Sequence, residues 1–340
     1  MRKPLGLLVA AGMIAVSLLS APAANASETI SGSGSSYAGI MFNKCVTSYT
    51  KDKVTYNPAG SGTGQRDFKA GTTTFGASDS PYKAGEQPSF PFTYVPLVGG
   101  PIAVAYNVPG LNSLNLTPKI VSDIFLGKIT KWNDPAIRAI NRGAKLPGVK
   151  INVVYRKDNS GTSYNFTNFL AQTVSKTEWK ADLSFLSGSS NKAVGIQGDK
   201  NQGVRTEMEK AKNSIGYLDL ADAQKAKFGL AAIQNGTGQF VRPSINTTKL
   251  FMLSKNHKLQ TNGIVNFDYK ARVRGGYPVV LIAYGFAPTN NGTAKATAVR
   301  DFFTYVVNTC VPQEGAKLGY LPFTGTEFLK VANAAIARIK

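Results

Sequence analysis

Tyr155-Arg156-Lys157-Asp158-Asn159-Ser160-Gly161-Thr162-Ser163-Tyr164-Asn165-Phe166 is the stretch whose reading decides the fold. Ahead of it, Val149 to Val154 alternates as a strand does. Behind it, Phe166, Phe169, Leu170 and Val174 recur at helical spacing. The Ser-Gly-Thr-Ser segment therefore sits where a strand hands over to a helix. Such a junction suits anions, because the first helical N–H groups lack intrahelical partners, the macrodipole is positive there, and glycine admits a close backbone approach. Arg156, just upstream, adds a planar fork of donors. Two readings stay open for this stretch alone: an anion site, or a helix capped by Ser160 or Thr162 with Arg156 as a surface charge.

Working outward, other segments repeat the pattern. Ser31 to Tyr37 is a glycine-serine run that opens the helical pattern Ile40, Phe42, Cys45, Val46, Tyr49. Lys53 to Asn57 reads as a strand, followed by Pro58-Ala59-Gly60-Ser61-Gly62-Thr63-Gly64 and a short helix through Phe68. Thr73 to Pro81 predicts a short strand that ends at Asp79 in a small-residue turn. That carboxylate is either a turn residue or an acceptor facing an anion that carries a proton. Tyr94–Leu97 and Pro101–Tyr106 read as two apolar strands around Gly99-Gly100. Thr117-Pro118 and Asn133-Asp134-Pro135 open helices. Ser214 to Leu218 is a short buried strand, Tyr277 to Tyr284 a strand of parallel-sheet type, and Thr326 to Ile339 the last helix. Strands alternating with helices predict α/β architecture. Breaks near Asn107 and Tyr277 suggest two crossings between lobes.

The first 26 residues have a basic start, the apolar run Leu5 to Leu19 and small residues in A-x-A form, the pattern of a secretion signal cut after Ala26. An exported product, periplasmic or extracellular, is expected. The first cysteine is Cys45, so the lipid-attachment cysteine of anchored exported proteins is not seen at this cleavage site. Losing Arg2 and Lys3 lowers the formal charge from +20 to +18. A balance that basic suggests nucleic acid, but export argues against it, and the aromatic-basic interleaving of single-strand binders is not evident. An anionic cell wall or membrane surface is the better partner, with solubility and steering of small anions as the alternative. Cys45 and Cys310 each fall on a helical pattern, so in an oxidising compartment they form a candidate disulfide; two separate buried thiols are the alternative.

Catalysis finds little support. The single histidine, His257, lies among Lys and Asn residues and reads as solvated, and no G-x-S-x-G or H-E-x-x-H occurs. No metal-ligand spacing is present, and no cofactor is expected.

Taken together, Gly32-Ser33-Gly34-Ser35-Ser36-Tyr37, Gly60-Ser61-Gly62-Thr63-Gly64, Phe75-Gly76-Ala77-Ser78-Asp79-Ser80-Pro81 and Arg156 to Ser163 resemble, in order, the four anion loops of the phosphate-binding proteins that feed bacterial high-affinity phosphate ABC transporters. Val108-Pro109-Gly110-Leu111 and Ile124 to Asp134 are similar to that family as well. The resemblance implies a periplasmic-binding-protein-like fold of type II. Two α/β lobes, 27–107 plus 278–340 and 108–277, would be joined by a two-strand hinge with the ligand in the cleft. It implies contacts to inorganic phosphate from Ser36, the Tyr37 N–H, Ser61, Arg156, Ser160, the Gly161 N–H and Thr162, with Asp79 accepting the phosphate proton. Sulfate, fully ionised, would meet Asp79 lone pair to lone pair. A monomer that is not an enzyme and delivers phosphate to ABC permease subunits is expected. Ser36-Tyr37 stands where the family often has Thr-Phe. The alternatives are a binder of sulfate or molybdate, a wall-adhesion protein on the same fold, or a secreted phosphate-ester hydrolase.

Overall fold

The structure, a computed structural model, describes residues 27–289 and 292–340. The expected secretion segment, 1–26, lies outside the described residues. Three parallel strands, β1 (Thr29–Gly34), β2 (Lys53–Asn57) and β3 (Phe75–Ser78), make one end of the main sheet. A long strand, β4 (Phe92–Asn107), crosses its middle. The other end holds β5 (Asn152–Arg156), β6 (Ile196–Gly198) and β7 (Ser214–Asp219), and the chain returns through β8 (Val280–Pro288). The strand order is β2-β1-β3-β8-β4-β7-β5-β6. Strand β4 changes partner along its length: Phe92 to Pro101 pairs with β8, and Ile102 to Asn107 pairs with β7. The partner change at Pro101/Ile102 divides the sheet into two halves held by one continuous backbone.

The structure corrects four expectations. Tyr94–Leu97 and Pro101–Tyr106 are one strand, because Gly99 and Gly100 mark close packing and not a turn. A Cβ on Gly99 would lie 2.5 Å from Met252 Cε, and one on Gly100 2.1 Å from the Tyr37 hydroxyl. The return strand starts at Val280 and runs antiparallel to both β3 and β4. Burial on both faces yields an apolar run whatever the strand direction, so the sequence pattern carried no information on that point. His257 is half-buried and engaged, not free in solvent. Its Nε2 donates to the Phe251 carbonyl at 2.6 Å, its Nδ1 accepts the Asp268 N–H at 3.2 Å, and burial lowers its pKa. Finally, the last helix is shorter than expected, Glu327–Ile336, and begins at a Thr326 cap.

Helices cover the sheet where the apolar spacing put them. Helix α1 (Gly39–Ser48) buries Met41, Phe42 and Cys45. The helix Ala294–Tyr305 continues into a π-helical turn, Val306–Cys310. Cys45 and Cys310 are joined, linking the start of the described chain to its C-terminal helices across a separation of 265 residues. Around the bond, Phe42 stacks on Tyr56 at 4.4 Å, and Phe75 meets Phe302 and Phe303 edge-on or tilted.

Closing so long a loop restricts the unfolded chain. The Cys45→Ser/Cys310→Ser pair is expected to lose about 2–5 kcal/mol of stability. Urea unfolding of the oxidised wild type, the reduced wild type and the double variant checks this: the last two should share a lower midpoint.

Candidate functional site

The strand-to-helix turns gather at one place between the two halves of the sheet. Helix α2 (Ser61–Lys69) follows β2, and helix α3 (Gly161–Thr173) follows β5, so the N-termini of both point into the same cleft. Ser160 caps α3 by accepting the Ser163 N–H at 3.2 Å. The bland reading of the opening stretch is thus correct as far as it goes, yet Arg156 is no surface charge. It is 2 % exposed.

The guanidinium of Arg156 is the hub. Its Nη2 reaches Ser36 Oγ on the opposite wall at 3.2 Å, and its Nη1 reaches Thr162 Oγ1 at 3.5 Å and Asn201 Oδ1 at 3.3 Å. Nε and Nη2 together grip Asp158 at 2.8 and 2.6 Å. Burial works against the guanidinium charge, but Asp158 and then Asp79 more than compensate and raise its pKa. Asp158 is depressed in turn: burial opposes its charge, while Arg156 and the Lys200 N–H outweigh that. The charge of Arg156 is therefore balanced within the protein. What the site would offer an anion is chiefly N–H and hydroxyl dipoles.

Asp79 sits on the other wall, buried, at the end of β3. Ser35 Oγ donates to its Oδ1, and Ser61 Oγ lies 3.4 Å from its Oδ2. Burial pushes the carboxyl up to about 7, against the opposing pull of Ser35, Arg156 and Ser61. The group is poised to hold or release a proton near neutrality. Gly161 is required by close approach: a Cβ there would lie 2.6 Å from both Asp79 Cβ and Ser61 Oγ.

Of the residues expected from sequence, Ser36, Ser61, Asp79, Arg156, Ser160, Gly161 and Thr162 come together. Tyr37 is nearby only through its backbone. Its phenol is fully buried elsewhere, 3.2 Å from the Pro101 carbonyl and edge-on to Tyr320. Sequence reasoning missed four neighbours. Ser35 and Asp158 were visible inside the quoted motifs and were passed over. Asn165, buried, spans the two walls with Nδ2 at 2.6 Å from the Asp79 carbonyl and 2.9 Å from the Gly161 carbonyl. Asn201 places its backbone N–H 3.4 Å from Ser36 Oγ, and its fully buried Nδ2 has no protein partner. Asn165 also stands in the opening stretch, but as an ordinary polar helix residue, and Asn201 stands in none of the motifs; only the tertiary fold brings the two in. The walls also touch where the Gly62 N–H donates to the Asn159 carbonyl at 3.0 Å.

Comparison with known proteins gives a consistent picture. A model of the PBP superfamily domain matches residues 19–309. The chain is 42% identical over 224 residues to a phosphate-binding protein PstS of Pasteurella multocida, covering 64% of this chain and 64% of that protein. It is 33% identical over 306 residues to the PstS of Xylella fastidiosa, covering 87% of this chain and 82% of that one. Among solved structures, a high-affinity periplasmic phosphate-binding protein with phosphate bound superposes with a TM-score of 0.71 at 21% identity, over 91% of this chain and 92% of that one, which speaks to the fold.

The raised pKa of Asp79 has a thermodynamic sign. The folded protein keeps this proton up to about pH 7, whereas an unfolded aspartate loses it near pH 3.8. The contribution to stability is thus full below the lower value and is lost as the pH rises to the upper one. Ligand-free Asp79→Asn should show a flatter dependence of Tm on pH across that window than wild type. Parallel profiles would contradict the buried, proton-holding carboxyl.

Proposed function

The chain belongs to the PBP superfamily and, within it, to the PstS phosphate-binding proteins, and on that premise we propose that the cleft just described is where it captures inorganic phosphate for delivery to an ABC importer. The observation that carries the site assignment is the convergence of Arg156, Ser36, Thr162 and Asp79 in one buried place fed by two helix N-termini. Ser36, Ser61, Ser160 and Thr162 supply hydroxyls, Tyr37 and Gly161 supply backbone N–H groups, and Arg156 supplies its fork. Asp79 accepts the phosphate proton. Its high pKa makes the exchange of that proton with the ligand nearly balanced near neutral pH, and a fully ionised oxyanion meets the carboxylate lone pair to lone pair.

Capture requires the cleft to open. Residues 27–107 plus 278–340 act as one lobe and 108–277 as the other, and they swing about the middle of β4, where its partner changes, and the segment that enters β8. Contacts across the cleft from Arg156 to Ser36, Asn165 to Asp79 and Asn159 to Gly62 form on closure and exclude water from the ligand. The protein works as a monomeric binder and not as an enzyme, in keeping with the relatives, which are named as binding proteins. It is exported, and its surplus of cations holds it to an anionic wall outside the membrane.

Equilibrium dialysis with radiolabelled phosphate tests the site. One phosphate per chain is expected. Arg156→Lys keeps a cation beside Asp158 but loses the fork, and should weaken binding by about 10- to 100-fold, or ~1.5–3 kcal/mol. Wild-type affinity in the variant would remove Arg156 from the site, and no binding by wild type would remove the function.

A further inference from the structure

Toward the C-terminal end of α3 the surface hollows into a groove of about 510 Å³ lined by Lys176, Lys180 and Lys270 together with Asn168 and Gln172, which also line a smaller hollow beside Asp79. A second hollow of about 360 Å³ shares Lys270 and continues past Lys119 and Asn235. The side-chain amide of Asn235 binds the Val273 carbonyl at 2.9 Å, and Val273 is flanked by Arg272 and Arg274.

Nearby acids leave the lysines of the first hollow unpaired: Glu178, between Lys176 and Lys180 in sequence, is engaged with Lys128, and Asp182 is 3.5 Å from Lys83. In the second hollow Asp123 pairs with Lys119 at 2.5 Å, so Lys176, Lys180 and Lys270 are the cations open to a ligand. Asp268 accepts the Lys270 backbone N–H at 3.0 Å. Lys176, Lys180 and Lys270 are exposed and, among the described residues, form no ion pair.

We propose that this two-part groove is a docking surface for a linear chain of repeating phosphodiesters, an inference that rests on the reading that the cationic surplus holds the protein to an anionic wall. Each exposed lysine offers a single small anion only about 0–1 kcal/mol, so such cations matter when one ligand engages several at once and releases their counterions together. A flexible polymer with a charge on every unit fits two hollows in a row that share Lys270. Gln172 is tied to Asn168, Phe267 and Tyr269, which leaves the Asn168 amide nitrogen to meet the hydroxyls of the linking units.

The test measures binding of the purified protein to immobilised poly(glycerol phosphate) at low salt, beside poly-L-glutamate. Two triple variants carry the same charge change: Lys176→Glu/Lys180→Glu/Lys270→Glu in the groove, and Lys44→Glu/Lys69→Glu/Lys225→Glu elsewhere. Wild type is expected to prefer the phosphodiester polymer. The groove variant should lose about tenfold or more in affinity and the control far less, with phosphate uptake in dialysis unchanged in both. Equal losses in the two variants would overturn the docking surface while leaving wall attachment intact. Equal binding of the two polymers would overturn the choice of ligand, and failure of wild type to bind either polymer would overturn the wall reading itself.

Discussion

A carboxyl group buried on one wall of the cleft, facing a buried guanidinium on the other, is the constraint on which the rest of the molecule depends. Neither group is tolerable alone, since an isolated buried charge costs several kcal/mol. Arg156 is made tolerable by Asp158 two residues along, and Asp79 by the hydroxyls of Ser35 and Ser61 and by holding its proton up to about pH 7. The consequence is a cleft with little net charge of its own. On the proposed reading, selection among oxyanions then falls to hydrogen-bond polarity, where donors are many and Asp79, once it has released its own proton, is the acceptor.

Placing these groups to within a few tenths of an ångström requires a rigid frame on each side. Strand β4 supplies both sides at once, lying beside β8 over one half and β7 over the other. Asp79 leaves the end of β3, Arg156 the end of β5, and the helices that follow β2 and β5 aim their N-termini inward. The Cys45–Cys310 bond ties α1 to the C-terminal helices, so the wall that carries Ser35, Ser36 and Asp79 is braced by both ends of the described chain. The proposed closure would then turn on the strand crossings, since both walls are braced.

Much of this was legible in the sequence because it is local. A strand, a Gly/Ser turn and a helix start are neighbours in the chain, so β2 and β5, their loops and Arg156 could be read from spacing, whereas β1 was hidden inside the glycine-serine run Ser31 to Tyr37. The α/β alternation and the membership of the PBP superfamily followed from the same segments. Whatever depends on distant residues was not legible. Gly99 and Gly100 read as a break because the side chains of Met252 and Tyr37 that press on them lie far off in sequence. The direction of β8 was hidden because burial on both faces erases the alternation that would have reported it. His257 looked solvated beside Lys and Asn, while its partners are the backbone of Phe251 and Asp268. Asn165 and Asn201 reach the cleft from helices whose polar residues look like any others. Asp158 is the instructive case: it was in the quoted stretch, and a buried Arg156 demands it, but burial itself cannot be read from Arg-Lys-Asp.

The account's central claim is that Asp79 chooses the ligand by accepting its proton. Calorimetric titration of the ligand-free protein with phosphate and with sulfate, in wild type and Asp79→Asn, tests it most directly. Above pH 7, where Asp79 is ionised, wild type should give heat with phosphate and none with sulfate, and the variant, whose amide can donate, should narrow the gap between the two. Equal heats for both anions in wild type, or undiminished discrimination in Asp79→Asn, would contradict it.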